Sequence, residues 1–247
     1  MTGKRSLLLP GVVAAAGFAV LIALGIWQLE RKAWKENLIA TLAERMSAPP
    51  SRLPSPEQWA GLDQARDEFR RVAMRGEFTP GREARVYSGA AALREDVKGP
   101  GYFAFSPMQL PDGSTVAVNR GYVDNPNPDA SLKSLALPKS GAEIVGALRW
   151  PEQPGWFVAP YSDRQDLWFA RDHRAMAARY GWGEVAPFYV EMESPAPPGG
   201  MPRPGPLTVK LRNEHFGYAL TWFGLAAVLL GVFAFWLRSR RRETNAA

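Results

Sequence analysis

The chain contains no cysteine and only two histidines, His173 and His215, among its 247 residues. Disulfides and thiolate metal sites are therefore excluded, and zinc or copper centres built on histidine clusters nearly so. No Ser-His-Asp set, phosphate-binding loop or metal-ligand motif is present, so enzymatic catalysis is not expected. Nor is there a charged domain to bind nucleic acid. The formal net charge is +6, but residues 30–214 hold 24 of the 30 Lys+Arg and 23 of the 24 Asp+Glu, which leaves that stretch at +1. A nucleic-acid-binding domain would carry its basic excess on its folded part. No internal repeat is evident.

What the chain does have is two long apolar runs, Leu7–Leu29 and Tyr218–Leu237, around one polar stretch. Each is long enough to cross a hydrocarbon core of about 30 Å at about 1.5 Å per residue. The first continues directly into Trp27-Gln28-Leu29-Glu30-Arg31-Lys32 with no small-residue cleavage site, so an uncleaved anchor is expected rather than a signal peptide. Arg238, Arg240, Arg241 and Arg242 follow the second run, and Lys4 and Arg5 precede the first. Basic residues near span ends stay on the cytoplasmic side, which predicts both termini inside and the central stretch exported. Arg31, Lys32 and Lys35 oppose this orientation, but Glu30 and Glu36 accompany them.

The expected layout is a cytoplasmic N-terminus (1–6), a first membrane helix (7–29), and a helical extension with a proline-rich connector (30–56). A β-rich domain (57–194), a Pro/Gly-rich linker (195–214), a second membrane helix (215–237) and a basic tail (238–247) complete it. The fold class is α+β: two transmembrane helices flanking a mainly antiparallel β domain, a sandwich or open barrel, with one or two short helices. Trp27, Arg31, Trp34 and Leu38 share one face of a helix that should continue to about Met46. A short helix is predicted near Pro56–Arg66. Strand-like runs follow at Phe69–Phe78, Ala84–Tyr87, Tyr102–Leu110, Thr115–Val118, Glu143–Leu148, Leu167–Phe169 and Phe188–Met192. Pro111-Asp112-Gly113-Ser114 predicts a tight hairpin, because glycine accepts positive φ at little cost. Asp172–Tyr180 reads as a surface helix stopped by Gly181, with Asp172 and His173 capping and decorating it.

Just before the second span, His215, Tyr218 and Trp222 fall at i, i+3 and i+7, one helix face, with small Ala219 and Ala226 beside them. Since the spans run in opposite directions, Trp27 and Arg31 should lie at the same depth. Each of these residues also has an ordinary interfacial role. Tryptophan and tyrosine belong in interfacial belts, and Arg31 can make cation–π contacts or reach lipid phosphate. Asn119-Arg120-Gly121 can be a turn with a structural arginine.

Four stretches, GIWQLERKAWKENLI (25–39), VAVNRGYVD (116–124), LWFARDHRAMAARYG (167–181) and NEHFGYALTWFGLA (213–226), resemble the surfeit locus protein one family in order and layout. That resemblance implies an integral membrane assembly factor for haem-copper terminal oxidases, chiefly the aa3-type cytochrome c oxidase, with bacterial members binding haem a. The family's motifs match His215, Trp27, Gln28 and Arg31, and with Tyr218 and Trp222 of the His215 helix face these make up the expected cofactor-binding set. His215 would be the haem-iron ligand, Arg31 a propionate partner, and Trp27 and Trp222 covers for the ring. Asn119, Arg120 and Gly121 match the family's Asn-Arg-Gly and would be structural or docking residues. Tyr122 and Glu214 stand where the family commonly has tryptophan and asparagine. The implied partners are the oxidase catalytic subunit, haem a synthase and membrane lipid. Six residues before the first span leave no room for a mitochondrial presequence, so a bacterial inner membrane is expected. A scaffold that holds an oxidase intermediate and binds no haem, with His215 making only a helix–helix hydrogen bond, is the alternative.

Overall fold

No proline interrupts the chain between Gly11 and Met46, and α1 (Leu8–Ser47) is accordingly one helix of 40 residues. At about 1.5 Å per residue it is about 60 Å long, twice a hydrocarbon core. Its apolar half is long enough to span a bilayer and its charged half extends past that length. The computed structural model describes residues 8–80, 83–88, 99–124, 137, 141–152, 159–205 and 213–245. It divides into a helix pair, residues up to Thr41 and from Leu211 onward, and a central unit, Leu42–Lys210.

In the helix pair, α1 packs antiparallel to the C-terminal helix, here α5 (His215–Asn245). Small residues on α1 seat large ones on α5. A Cβ added at Gly17 would lie 3.4 Å from Leu229 and one at Gly11 would lie 4.0 Å from Phe233, whereas one at Gly25 would overlap the Phe223 ring. Close approach at glycine is how helices associate when lipid removes the hydrophobic drive. Away from the seam Leu8, Val12, Val20, Leu220, Val228, Val232 and Phe235 are exposed, the composition of lipid-facing surface. Both helices are long and apolar enough to cross a membrane. The helix of α5 does not end at residue 237 but runs on through Arg242, so the basic tail begins as helix.

The central unit comprises β1 (Ser51–Arg52), α2 (Pro56–Trp59), α3 (Gln64–Asp67), β2 (Arg71–Phe78), β3 (Ala84–Ser88), β4 (Gly101–Gln109) and β5 (Thr115–Asp124). It continues with β6 (Ala142–Arg149), β7 (Tyr161–Ser162), β8 (Leu167–Trp168), α4 (His173–Tyr180) and β9 (Val185–Ser194). The strands form one sheet in the order β1-β2-β6-β9-β5-β4-β3-β8-β7, and β2 also pairs with β4. That contact, Glu77 opposite Gln109 and Phe78 opposite Met108, closes β2, β6, β9, β5 and β4 into a five-stranded barrel. The barrel is closed where the alternation alone allowed an open one. Most pairs are antiparallel, but β5 and β9 run parallel at the centre.

Alternate residues fill the barrel: Val72, Met74 and Phe78 of β2, Met108 of β4, Val116 and Val118 of β5, Ile144 and Leu148 of β6, Phe188 and Val190 of β9. The opposite face of β4, β5 and β9 is also covered. Phe103, Phe105, Ala117, Tyr122 and Tyr189 pack there with Met176 and Ala177 of α4 and with Ala84 and Val86 of the adjacent strand β3. Strands buried on both faces lose polar alternation, which is why β4 and β5 are almost wholly buried while β2 alternates.

The predicted hairpin joins β4 to β5, with Gly113 at φ 85° and the Ser114 amide donating to Asp112 Oδ1 at 2.9 Å. The Asp172 carboxylate caps α4 by accepting from the Arg174 and Ala175 amides, and Gly181 ends it at φ 68°. Other expectations need correction. The helix near Pro56–Arg66 is two short ones, because Gly61 follows the first and Asp63 caps the second. Phe69 precedes its strand with φ 66° rather than opening it. The Pro/Gly-rich stretch, expected to be a stiff linker outside any packed element, is in part seated on the sheet. Arg203 pairs with Tyr122 through two backbone hydrogen bonds of 3.0 and 2.7 Å, and Pro202, Pro204 and Gly205 are buried. His173 is fully buried rather than decorating a surface.

Candidate functional site

At the start of α5 the His215 imidazole is half-buried, and its Nδ1 lies 2.7 Å from Oε1 of Gln28 on α1. A carbonyl oxygen only accepts, so this contact is a hydrogen bond when Nδ1 carries the ring proton, and a neutral ring of that tautomer has its lone pair on Nε2. Gln28 is 8% exposed and sits one helical turn from Gly25, on the buried side of α1. These are the two predicted ligand-set residues that the fold brings into direct contact. A neutral imidazole with a free Nε2 is the donor that haem iron takes.

The remaining candidates are arranged differently. The packed stripe of α5 runs His215, Ala219, Trp222, Ala226, with Ala219 and Ala226 each 1% exposed. Tyr218 therefore turns off that face and is 58% exposed. Trp222 is half-buried with its Nε1 lacking a hydrogen-bond partner. Trp27 is also exposed, and Arg31 lies over the Trp34 ring, its Cζ 3.9 Å from the centroid. Exposed aromatic rings with an arginine at a span end suit an interface with headgroups or an amphiphile.

In the central unit, Asn119-Arg120-Gly121 is not a turn but a bulge within β5. Phe105 faces Asn119 and Phe103 faces Tyr122, so one residue of β4 opposes two of β5. The extra residue lets Asn119 and Tyr122, three apart, share a face. Gly121 has φ 124°, and a Cβ there would overlap the backbone of Arg203. Arg120 points to the barrel side, 2% exposed, ion-paired with Glu83 and over Phe78. Ser106 Oγ donates to the same carboxylate at 3.2 Å. Burial pushes the Glu83 carboxyl above its ordinary pKa, with Arg120 opposing, and burial likewise draws Arg120 down. Asn119 is fully buried; its Oδ1 accepts from the Gly121 amide at 3.1 Å, holding the bulge.

A second buried ionic group escaped the sequence reading. Glu191 of β9 lies 3.4 Å from Arg149 and 3.7 Å from Arg171, and Arg149 also reaches Glu68 at 3.2 Å. Burial is the largest influence on Arg171 and opposes its charge, but Glu191, Tyr189 and Glu152 together outweigh it and hold the guanidinium above its usual pKa. A glutamate inside the apolar run Val185–Met192 was the available signal. Among the described residues no group of three or more His, Cys, Asp or Glu could hold a metal ion.

The family model described as "SURF1 family" matches residues 15–227. Among similar proteins, a "SURF1-like protein" of Monosiga brevicollis is 31% identical over 92% of this chain and 85% of its own length. "Surfeit locus protein 1" of Rattus norvegicus is 32% identical over 92% of this chain and 74% of its own, and that of Homo sapiens is 31% identical over 83% and 69%. The matched span includes most of α1, the first turns of α5, the β5 bulge and the His215–Gln28 pair, and the chain belongs to the SURF1 family.

Proposed function

We propose that this chain is a membrane-anchored carrier that holds haem a at the exported end of its helix pair and aids its insertion into the catalytic subunit of a haem-copper oxidase of the aa3 type. On this reading it lies in a bacterial inner membrane with both termini cytoplasmic, and haem a synthase is the natural donor. The observation that carries the proposal is the His215–Gln28 contact, which in a neutral ring with the proton on Nδ1 turns the Nε2 lone pair away from Gln28, where it can ligate iron. Haem, when bound, would supply an iron centre for delivery. His215 would hold that iron, Arg31 would leave Trp34 for a propionate, and Trp27, Tyr218 and Trp222 would offer ring faces. Release rather than turnover is what such a site does.

The same hydrogen bond also favours a second reading, a scaffold for an oxidase intermediate in which His215 serves only to join two helices. The absorption spectrum of full-length protein, purified in detergent after co-expression with the haem a pathway, separates the two. A stoichiometric haem a spectrum is expected; haem-free protein from haem-replete cells would favour the scaffold.

A further inference from the structure

An amide placed in the seam between two apolar helices costs about 1–3 kcal/mol unless its polar atoms are partnered. Gln28 is in that position, buried beside Gly25 while its neighbours Ile26, Trp27 and Leu29 are exposed. Its Oε1 is spent on a single group, Nδ1 of His215, at a distance short for a hydrogen bond to nitrogen. In water a neutral histidine side chain favours the proton on Nε2, which would leave the wrong nitrogen for a ligand reaching away from Gln28. We infer that Gln28 is a positioning residue: its carbonyl oxygen selects the Nδ1–H tautomer of His215 and so presents Nε2 as the ligand atom. Its bearing on iron rests on the carrier reading above, but the tautomer itself does not.

Acceptors on the far nitrogen of a ligating histidine fix its ring and raise its basicity. A stronger acceptor stabilises the oxidised metal, and loss of the acceptor does the reverse. His173 supplies a reference within the same chain. Its Nε2 lies 2.9 Å from the Ala186 carbonyl, so that histidine carries its proton on Nε2, the opposite tautomer.

The test uses full-length protein in lipid nanodiscs with ¹⁵N-labelled histidine, haem-free, well above the ordinary imidazole pKa of about 6.5. His215→Ala identifies which resonances belong to His215. The expected spectrum has His215 protonated on Nδ1 and His173 on Nε2. Gln28→Leu should move His215 to mainly Nε2–H, and Gln28→Glu, which keeps the acceptor and the shape, should restore Nδ1–H. A wild-type His215 protonated on Nε2, or a tautomer unchanged in Gln28→Leu, would overturn the inference. On haem-loaded protein, Gln28→Leu should weaken haem retention about 10–100-fold and raise the midpoint potential, while Gln28→Glu lowers it. Equal potentials in all three proteins would also overturn it. Wild-type protein that retains no haem would remove the carrier reading, and the tautomer measurement would then decide the role of Gln28 alone.

Discussion

Of the two histidines, His215 is half-buried at the start of α5 and His173 is locked in the core, where protonation is penalised. Burial pushes the His173 pKa down to about 4, since Nδ1 has no hydrogen-bond partner and a second N–H would be stranded there. The folded pKa lies below the unfolded one, so this group's contribution to stability is complete above about pH 6.5 and is lost as pH falls toward about 4. The loss is on the order of 3 kcal/mol. His173→Gln, which can donate to the same carbonyl, should flatten that acid slope in thermal unfolding of the full-length protein; an unchanged slope would place the acid sensitivity elsewhere. Arg120 behaves as a structural ion. Removing it leaves the Glu83 carboxylate, which Ser106 still partners, without its counter-charge, at a cost of about 3–5 kcal/mol. Arg120→Ala should therefore reduce folded protein, with Glu83→Gln relieving part of the loss. Normal abundance of Arg120→Ala with failed oxidase assembly would favour a docking role instead.

At the scale of elements, what was legible was local. The apolar lengths of α1 and α5, the Asp112-Gly113 hairpin and the Asp172 cap with its Gly181 stop are each decided by residues close in sequence. What was not legible depends on distant partners. The Gly121 bulge looks like a turn until the segment at Arg203 is seen to lie against it, and Glu191 looks like a strand's polar face until Arg149 and Arg171 meet it. The parallel β5–β9 pair and barrel closure by β2 and β4 are long-range for the same reason. Gln28 was visible only through family resemblance, because its partner is 187 residues away. Gly121→Ala forces an L-residue to φ 124° and a methyl group into the Arg203 backbone. Strain of this kind costs about 1–3 kcal/mol before the overlap is counted. Thermal unfolding should show Tm lowered by roughly 4–8 °C, and an unaltered Tm would mean that the 203–204 segment is not seated there.

For the whole molecule, the charge distribution and the site make a joint demand. The basic excess lies at the two termini, so both should be cytoplasmic and the β barrel exported. Alkaline phosphatase fused after Ser194 should be active and fused after Arg242 inactive. The reverse pattern would put His215 on the cytoplasmic side and remove the basis for delivery at the exported surface. The proposed carrier function rests on one imidazole. The most direct measurement is the ratio of haem to protein in wild-type, Arg31→Ala and His215→Ala chains purified in parallel from cells that make haem a. His215→Ala should insert at normal abundance and lose its haem. Arg31→Ala should retain part of it, since a propionate contact contributes about 1–3 kcal/mol and the iron bond remains. Undiminished haem in the His215→Ala protein would contradict the assignment and show that the iron is held elsewhere.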